Sequence, residues 1–166
     1  MGLYIKDNFF NAGETEVRNE AGEHIGSVDL KSAWGSSLDV YNQDGQKVCS
    51  GKFRFFSNKW EVMNADEAVL GVLRMRISFF SKKYEYDAGE RGTYEIVSPV
   101  FSKEYEILDE GGTKMASFRR VSGWFQSGAY HLENHSPALG DWELAAVVMG
   151  VHAIQKRKNN SAASST

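Results

Sequence analysis

The sequence contains few residues that cross-link the chain or break secondary structure. It has a single cysteine, Cys49, which excludes an intramolecular disulfide framework. It has two prolines against 16 glycines, a balance that favours uninterrupted strands joined by glycine turns. The N-terminal segment lacks a basic stretch followed by an apolar run, so we expect no signal peptide and a reduced, cytoplasmic setting.

Strong charge of one sign is also missing. The formal net charge is −3 over 166 residues, which gives no general attraction to nucleic acid or to acidic membranes. We therefore predict no nucleic-acid partner, and any binding to anionic lipid requires a local basic patch.

The familiar catalytic and cofactor-binding motifs are absent from the sequence. It has no G-x-G-x-x-G, P-loop, G-x-S-x-G or C-x-x-C pattern. The segment Asn42–Gly45 is similar to part of an EF-hand loop, but Val40 and Gly51 stand where the first and last calcium ligands belong. We predict that the protein is not an enzyme and has no cofactor and no metal site.

A short pattern recurs six times at intervals of 22 or 23 residues. The apolar residue is followed two positions later by Asn or Asp in four copies and five positions later by Gly in four copies, which is typical of a strand and a tight turn. Six such hairpins predict about twelve strands in a closed barrel. The apolar origins of the six copies are Val17, Val40, Val62, Tyr84, Ile107 and Tyr130.

Four copies place a small residue where the second strand of the hairpin should face the interior. The position before it has the outward parity yet is apolar, which we interpret as a β-bulge. The small residues are Gly26, Cys49, Gly71 and Ala116, and the apolar residues before them are Ile25, Val48, Leu70 and Met115.

The C-terminal part of the sequence breaks the β pattern and predicts a helix over about 142–158. Leu144 to Ile154 is apolar on every side except at His152, so this helix is buried all round. It is well short of the roughly 20 apolar residues that span a bilayer, so we predict no transmembrane segment. Because a twelve-stranded barrel is too wide for its own side chains to fill, we place the helix inside it. We predict a single domain over 1–158 and a disordered polar tail over 159–166.

These features resemble the tubby C-terminal-like superfamily, which includes LURP-one-related proteins and the phospholipid scramblase-like barrel. The carrying residues are the turns Asn19–Gly22, Asn42–Gly45 and Asp109–Gly112 and the apolar helix segment Ala145–Gly150. The chain looks closest to the short bacterial and LURP-one-related branch. The resemblance implies a twelve-stranded barrel around a C-terminal hydrophobic helix. It also implies lipid contact, because tubby domains bind phosphoinositide headgroups through basic surface residues and scramblases act at membranes.

Basic residues recur at equivalent positions of the repeat and alternate with apolar ones such as Phe53, Leu73, Met75 and Ile77. Period-two alternation predicts that one set faces the interior and the other faces solvent. We predict an exterior basic patch that binds anionic phospholipid headgroups weakly, at the periphery of a membrane; a solvated strand face is the alternative. The candidate residues are Lys52, Arg54, Arg74, Arg76 and Arg119, extended by Lys82 and Lys83.

Two histidine segments keep other functions open. His131, Glu133 and His135 alternate along a predicted strand and could begin a metal site, although a solvated outer face explains them more simply. His152 could act as a general base, although a neutral, hydrogen-bonded histidine is the simpler interpretation. The alternatives to a binding module are therefore an enzyme with a pocket at a barrel end near His152 or His131, and a carrier of a small apolar ligand. A helix inside the barrel disfavours the carrier.

Overall fold

The structure, a computed structural model, describes residues 2–6, 11, 13–31, 36–77, 82–98, 104–122 and 128–164. Twelve antiparallel strands follow one another around a closed barrel, and β1 pairs with β12 to complete it, as the repeat predicts. The strands are β1 (Gly2–Lys6), β2 (Gly13–Arg18), β3 (His24–Leu30), β4 (Ser37–Asn42), β5 (Lys47–Phe53), β6 (Trp60–Asn64), β7 (Val69–Ile77), β8 (Lys82–Asp87), β9 (Thr93–Val97), β10 (Tyr105–Leu108), β11 (Lys114–Val121) and β12 (Ala129–Asn134). The helix α1 (Asp141–Ala163) follows them.

The recurring Asn and Gly residues form the tight turns at one end of the barrel, which we call the turn end. In the second hairpin, Gly45 has a φ of 73° and its N–H donates to the carbonyl of Asn42 at 3.0 Å. The side-chain Oδ1 of Asn42 accepts from the N–H groups of Asp44 and Gln46 at 3.0 and 2.9 Å. Only the glycine therefore needs the left-handed conformation, while the asparagine satisfies the turn's backbone donors.

The predicted bulges lie at the predicted positions. Val40 pairs with Cys49 and Tyr41 pairs with Lys47, so Val48 is the extra residue of its strand. The same shift leaves one residue extra in three other hairpins: Ile25, Leu70 and Met115. These apolar side chains are partly buried at the edge of the core, which explains why they break the alternation.

The helix fills the barrel, as its apolar sequence predicts. Leu144 to Met149 are at most 1% exposed. The helix comes closest to the wall formed by β5, β6 and β7, where a glycine of the helix makes room for the large side chain of Trp60. A Cβ on Gly150 would lie 2.4 Å from a ring atom of Trp60. The remaining wall also contributes large buried aromatic side chains: Tyr84, Tyr86, Tyr105 and Phe118.

The helix runs further than the sequence predicts. Residues 159–163, which we expect from the sequence to begin a disordered tail, continue α1 to Ala163. Ala162 and Ala163 are strong helix formers, and the buried turns before them supply the nucleus that a short helix lacks. Hydroxyls also satisfy backbone carbonyls in these turns, since Ser161 and Ser164 donate to residues four positions earlier.

A buried ion pair holds the N-terminal end of α1 in the barrel. Glu143 is 5% exposed, and its carboxylate accepts two hydrogen bonds from the guanidinium of Arg91 at 2.8 Å and one from the hydroxyl of Tyr86 at 2.6 Å. Arg91 also donates to the carbonyls of Ala138 at 3.1 Å and Leu70 at 2.6 Å. Burial raises the pKa of the Tyr86 phenol, and the charge of Glu143 raises it further, so this hydroxyl stays protonated and remains a donor.

Replacing Val148 with aspartate tests whether α1 is the core. Val148 is 0% exposed, so Val148→Asp places an unpartnered charge in the interior, which costs several kcal/mol and rivals the whole stability. We expect insoluble or non-cooperatively melting protein in circular dichroism. Asn159→Asp, on the exposed part of the same helix, is the control and should melt like the parent. A soluble Val148→Asp protein with a parental melt would contradict the buried helix.

The turn glycines give a second test. Gly45→Ala and Gly112→Ala should each destabilise by about 1 kcal/mol or more, because both residues have positive φ. The third hairpin has Glu67 in that conformation, at a φ of 63°, so Glu67→Gly should raise the melting temperature. If thermal denaturation shows all three proteins melting alike, the turn assignment is wrong.

Removal of Arg91 tests the buried ion pair. Arg91→Met leaves the Glu143 carboxylate buried without its partner, and we expect a loss of about 3–5 kcal/mol in the free energy of unfolding, measured with urea. Arg119→Met removes an arginine from an exposed pair with Glu106 (3.2 Å) and should change stability by less than about 1 kcal/mol. Equal effects of the two substitutions would mean that the ion pair does not hold the helix.

Candidate functional site

The C-terminal turns of α1 reach the barrel end opposite the tight turns. Arg157 donates from Nη1 to the carbonyl of Ser57 at 3.0 Å, and its guanidinium lies 4.1 Å from the ring centroid of Phe53. The ammonium of Lys158 lies 4.0 Å from the sulfur of Met75. We call this the helix-exit end; it comprises the loop 54–59, the last residues of β7 and residues 154–161 of α1.

Large apolar side chains are exposed at this end. Phe55 is 84% exposed, Phe56 is 96% exposed and Ile77 is 92% exposed. The two phenylalanine rings lie 4.2 Å apart, centroid to centroid, at the tip of the loop between β5 and β6. Phe56 has a φ of 52°, a conformation that is unfavourable for a bulky residue and that recurs at functional sites.

This exposure corrects part of the predicted alternation. The pattern assigns Ile77 to the same inward face as Leu73, but Ile77 is the last residue of β7 and lies beyond the packed interior. Phe55, at the equivalent offset of its repeat, lies in the turn beyond β5, which ends at Phe53. Period-two alternation therefore holds within the wall and fails where the strand leaves it.

A pocket of about 480 Å³ opens beside these side chains, between the loop, the end of β7 and α1. Met75 and the buried Ile154 contribute apolar surface to it. Among the described residues that line it, four are cationic and none is acidic. The lining residues are Ser57, Asn58, Lys59, Arg74, Met75, Ile77, Ile154, Arg157, Lys158 and Ser161.

Most of the basic residues predicted as a patch lie on the outer wall, where glutamates on neighbouring strands face them; Arg54 lies just beyond β5, in the loop 54–59. Arg74 and Arg76 share Glu85, with Nε of Arg74 at 2.8 Å and Nε of Arg76 at 2.9 Å from its oxygens. Lys52 stands opposite Glu61 in the strand register. The other pairs are Arg54 with Glu61 at 3.5 Å, Lys83 with Glu95 at 2.7 Å and Arg119 with Glu106 at 3.2 Å. We call these six cations the outer band; the side chain of Lys82 lies outside the described part of the chain.

Arg74 is the member of the outer band that also lines the pocket. The other pocket cations, Lys59, Arg157 and Lys158, were not predicted as site residues. Arg157 and Lys158 stand at the end of the helix predicted over 142–158, where cations are common because they offset the negative end of the helix, so their position alone is no functional signal. A usable signal was present in the run from Arg54 to Lys59, where two adjacent phenylalanines stand between cations in a segment without glycine or proline.

The histidines form no catalytic constellation within the described residues. His131 stacks on Tyr4 with ring centroids 4.5 Å apart, and His135 pairs with Glu133 at 3.2 Å. His152 is partly buried on α1. In the ranges that the structure describes, no three His, Cys, Asp or Glu side chains converge as metal ligands would.

Cys49 has the properties of a core residue. It is 1% exposed, and burial raises the pKa of its thiol to about 12. The thiol therefore stays protonated at neutral pH and is a poor nucleophile.

A closed twelve-stranded barrel around a C-terminal helix defines the class of this protein as a tubby-like barrel. The family model of LURP-one-related proteins matches residues 1–139, and the chain belongs to this family. The structure is similar to the X-ray structure of a protein from Arabidopsis thaliana, with a TM-score of 0.61 and 10% identity over 93% of this chain and 90% of that chain. At that identity the likeness shows the fold alone. No curated protein matches the sequence.

The family and the fold indicate a binding module rather than an enzyme, since proteins of this class are generally non-catalytic. Across the described ranges, no helix combines the length and the apolar character needed to cross a bilayer.

Proposed function

We propose that this protein is a non-catalytic, cytoplasmic binding module that associates at the periphery of anionic phospholipid membranes through its helix-exit end. The observation that carries the proposal is the exposed Phe55–Phe56 pair beside the cationic pocket. A membrane surface has anionic headgroups above apolar acyl chains. Exposed apolar side chains can contact the acyl chains, and the cations beside them can contact the headgroups.

The expected binding is weak and reversible. Fully burying a phenylalanine or isoleucine side chain contributes about 1.5–3 kcal/mol, and a lysine or arginine near an anionic surface adds about 1 kcal/mol. Three apolar side chains and a few cations give a sum that must still offset the loss of free motion on association, which costs at least about 4 kcal/mol. Salt should weaken the electrostatic part, because the Debye length is only about 10 Å at 0.1 M.

The outer band has a secondary role in this proposal. Its glutamates compensate much of its charge, so Lys52, Lys83 and Arg119 produce a weaker field than Lys59, Arg157 and Lys158, which line the pocket with no acidic residue among its described lining. Arg54 and Arg76 lie next to the exposed apolar residues in sequence and can reach headgroups once those residues touch the bilayer. We propose that Lys82 also contacts anionic headgroups, because it is the first residue of β8.

Pelleting with vesicles tests the role of the two phenylalanines. The parent protein should sediment with phosphatidylserine-containing vesicles at low salt and not with pure phosphatidylcholine vesicles. Phe55→Ser/Phe56→Ser should weaken this binding by at least about tenfold. Val69→Ser is the matched control, because Val69 is an exposed apolar residue (54%) next to the tight turns. The proposal is wrong if the parent does not sediment with anionic vesicles, or if the double variant binds as the parent does.

Charge reversal tests where the cations act. Lys59→Glu/Lys158→Glu changes two pocket cations, whereas Lys52→Glu/Arg119→Glu changes two cations of the outer band. We expect the first pair of changes to weaken vesicle binding much more than the second, with both proteins showing the parental melting curve. The reverse order would move the binding surface from the helix-exit end to the barrel wall.

A further inference from the structure

The pocket at the helix-exit end has the chemistry of a ligand site in its own right. Its volume of about 480 Å³ lies within the range of about 300–1,000 Å³ that holds small molecules in proteins. It does not compete with α1 for the barrel interior, because it lies between the rim of the wall and the last turns of the helix. The objection that the helix leaves no room for a carrier therefore does not apply to it.

Apolar and charged groups occupy different parts of this pocket. Ile154 is 3% exposed and Met75 packs on the core, so both belong to the inner side of the pocket. Lys59, Arg157 and Lys158 are exposed and stand at its rim. A ligand that satisfies both parts carries one apolar chain and one anionic head.

Two of the cations, Arg157 and Lys158, are held by contacts within the protein. The contacts of Arg157 with the Ser57 carbonyl and the Phe53 ring fix its guanidinium against the loop. The ammonium of Lys158 lies 4.0 Å from the sulfur of Met75, which places this cation at the border of the apolar part of the pocket. Groups that are already ordered lose less conformational entropy when they bind an anion.

We infer that this pocket binds one molecule of a single-chain anionic amphiphile, a long-chain carboxylate or a monoalkyl phosphate. The chain packs on Met75 and Ile154, and the head meets Lys59, Arg157 and Lys158. The inference rests on the proposed function, because the membrane would supply the amphiphile. Ile77 lines the pocket and also belongs to the exposed surface proposed to contact the membrane.

Fluorescence titration with dansylundecanoate tests the site on the full chain. We expect saturable binding of one probe per protein, with a blue shift in probe emission. Decyl phosphate should displace the probe. Decanol has the same chain without the charge, so displacement by decanol should require a concentration at least about tenfold higher. Inorganic phosphate, which lacks the chain, should not displace it. Displacement by decanol as effective as that by decyl phosphate would overturn the inference, as would a probe that does not saturate.

A tryptophan placed in the pocket locates the binding. Ser161 lines the pocket from the exposed part of α1, so Ser161→Trp should block the chain and weaken probe binding by about tenfold or more without disturbing the barrel. Asn159→Trp adds the same side chain to the same helix outside the pocket and should bind the probe like the parent. Equal binding by both variants would overturn the assignment to this pocket.

The two proposals fail separately. Phe55→Ser/Phe56→Ser should lose vesicle binding and keep the probe, because neither phenylalanine lines the pocket. If the parent protein binds the probe but does not bind anionic vesicles, the proposed function is wrong and the ligand site is still supported. A parent that binds vesicles and no probe overturns the ligand site alone.

Discussion

A barrel of twelve strands encloses more space than the side chains of its walls can fill, and α1 occupies the remaining interior. The rest of the molecule follows from that constraint. The wall nearest the helix carries Trp60, whose ring packs against Gly150 of α1, whereas the far wall contributes Tyr84, Tyr105 and Phe118. In four hairpins a bulge leaves its extra apolar residue at the margin of the core, where a bulged strand bends more strongly than a regular one.

Contacts at both ends hold α1 in the barrel. At its N-terminal end, the ion pair between Glu143 and Arg91 joins the helix to the turn between β8 and β9. At the opposite end, Arg157 contacts Ser57 in the loop 54–59 and Lys158 contacts Met75 on β7. The pocket therefore lies where the second of these attachments is made.

Within the barrel wall, the sequence predicts the features that repeat, and the single helix is predicted by its apolar run. The turns at Gly45 and Gly112 and the bulge at Val48 recur with a fixed period, so one copy explains the others. The Arg91–Glu143 pair joins the turn between β8 and β9 to α1, which lies outside the repeat, so periodicity does not predict it. The pocket joins residues a hundred positions apart, as in the Arg157–Ser57 contact, and the pairing of the outer cations with glutamates depends on strand register. Neither the pocket nor this pairing can be predicted from the sequence without knowing how the barrel closes.

Because α1 follows all twelve strands in the chain, the core is completed last during synthesis. At about 5–20 residues per second the strands leave the ribosome well before the segment that fills them. Until then the inward apolar side chains of the strands have no partner from the helix. A chaperone that shields such surfaces would act in this interval. Messages truncated just after β12 would yield chains that carry every strand and still lack a stable interior.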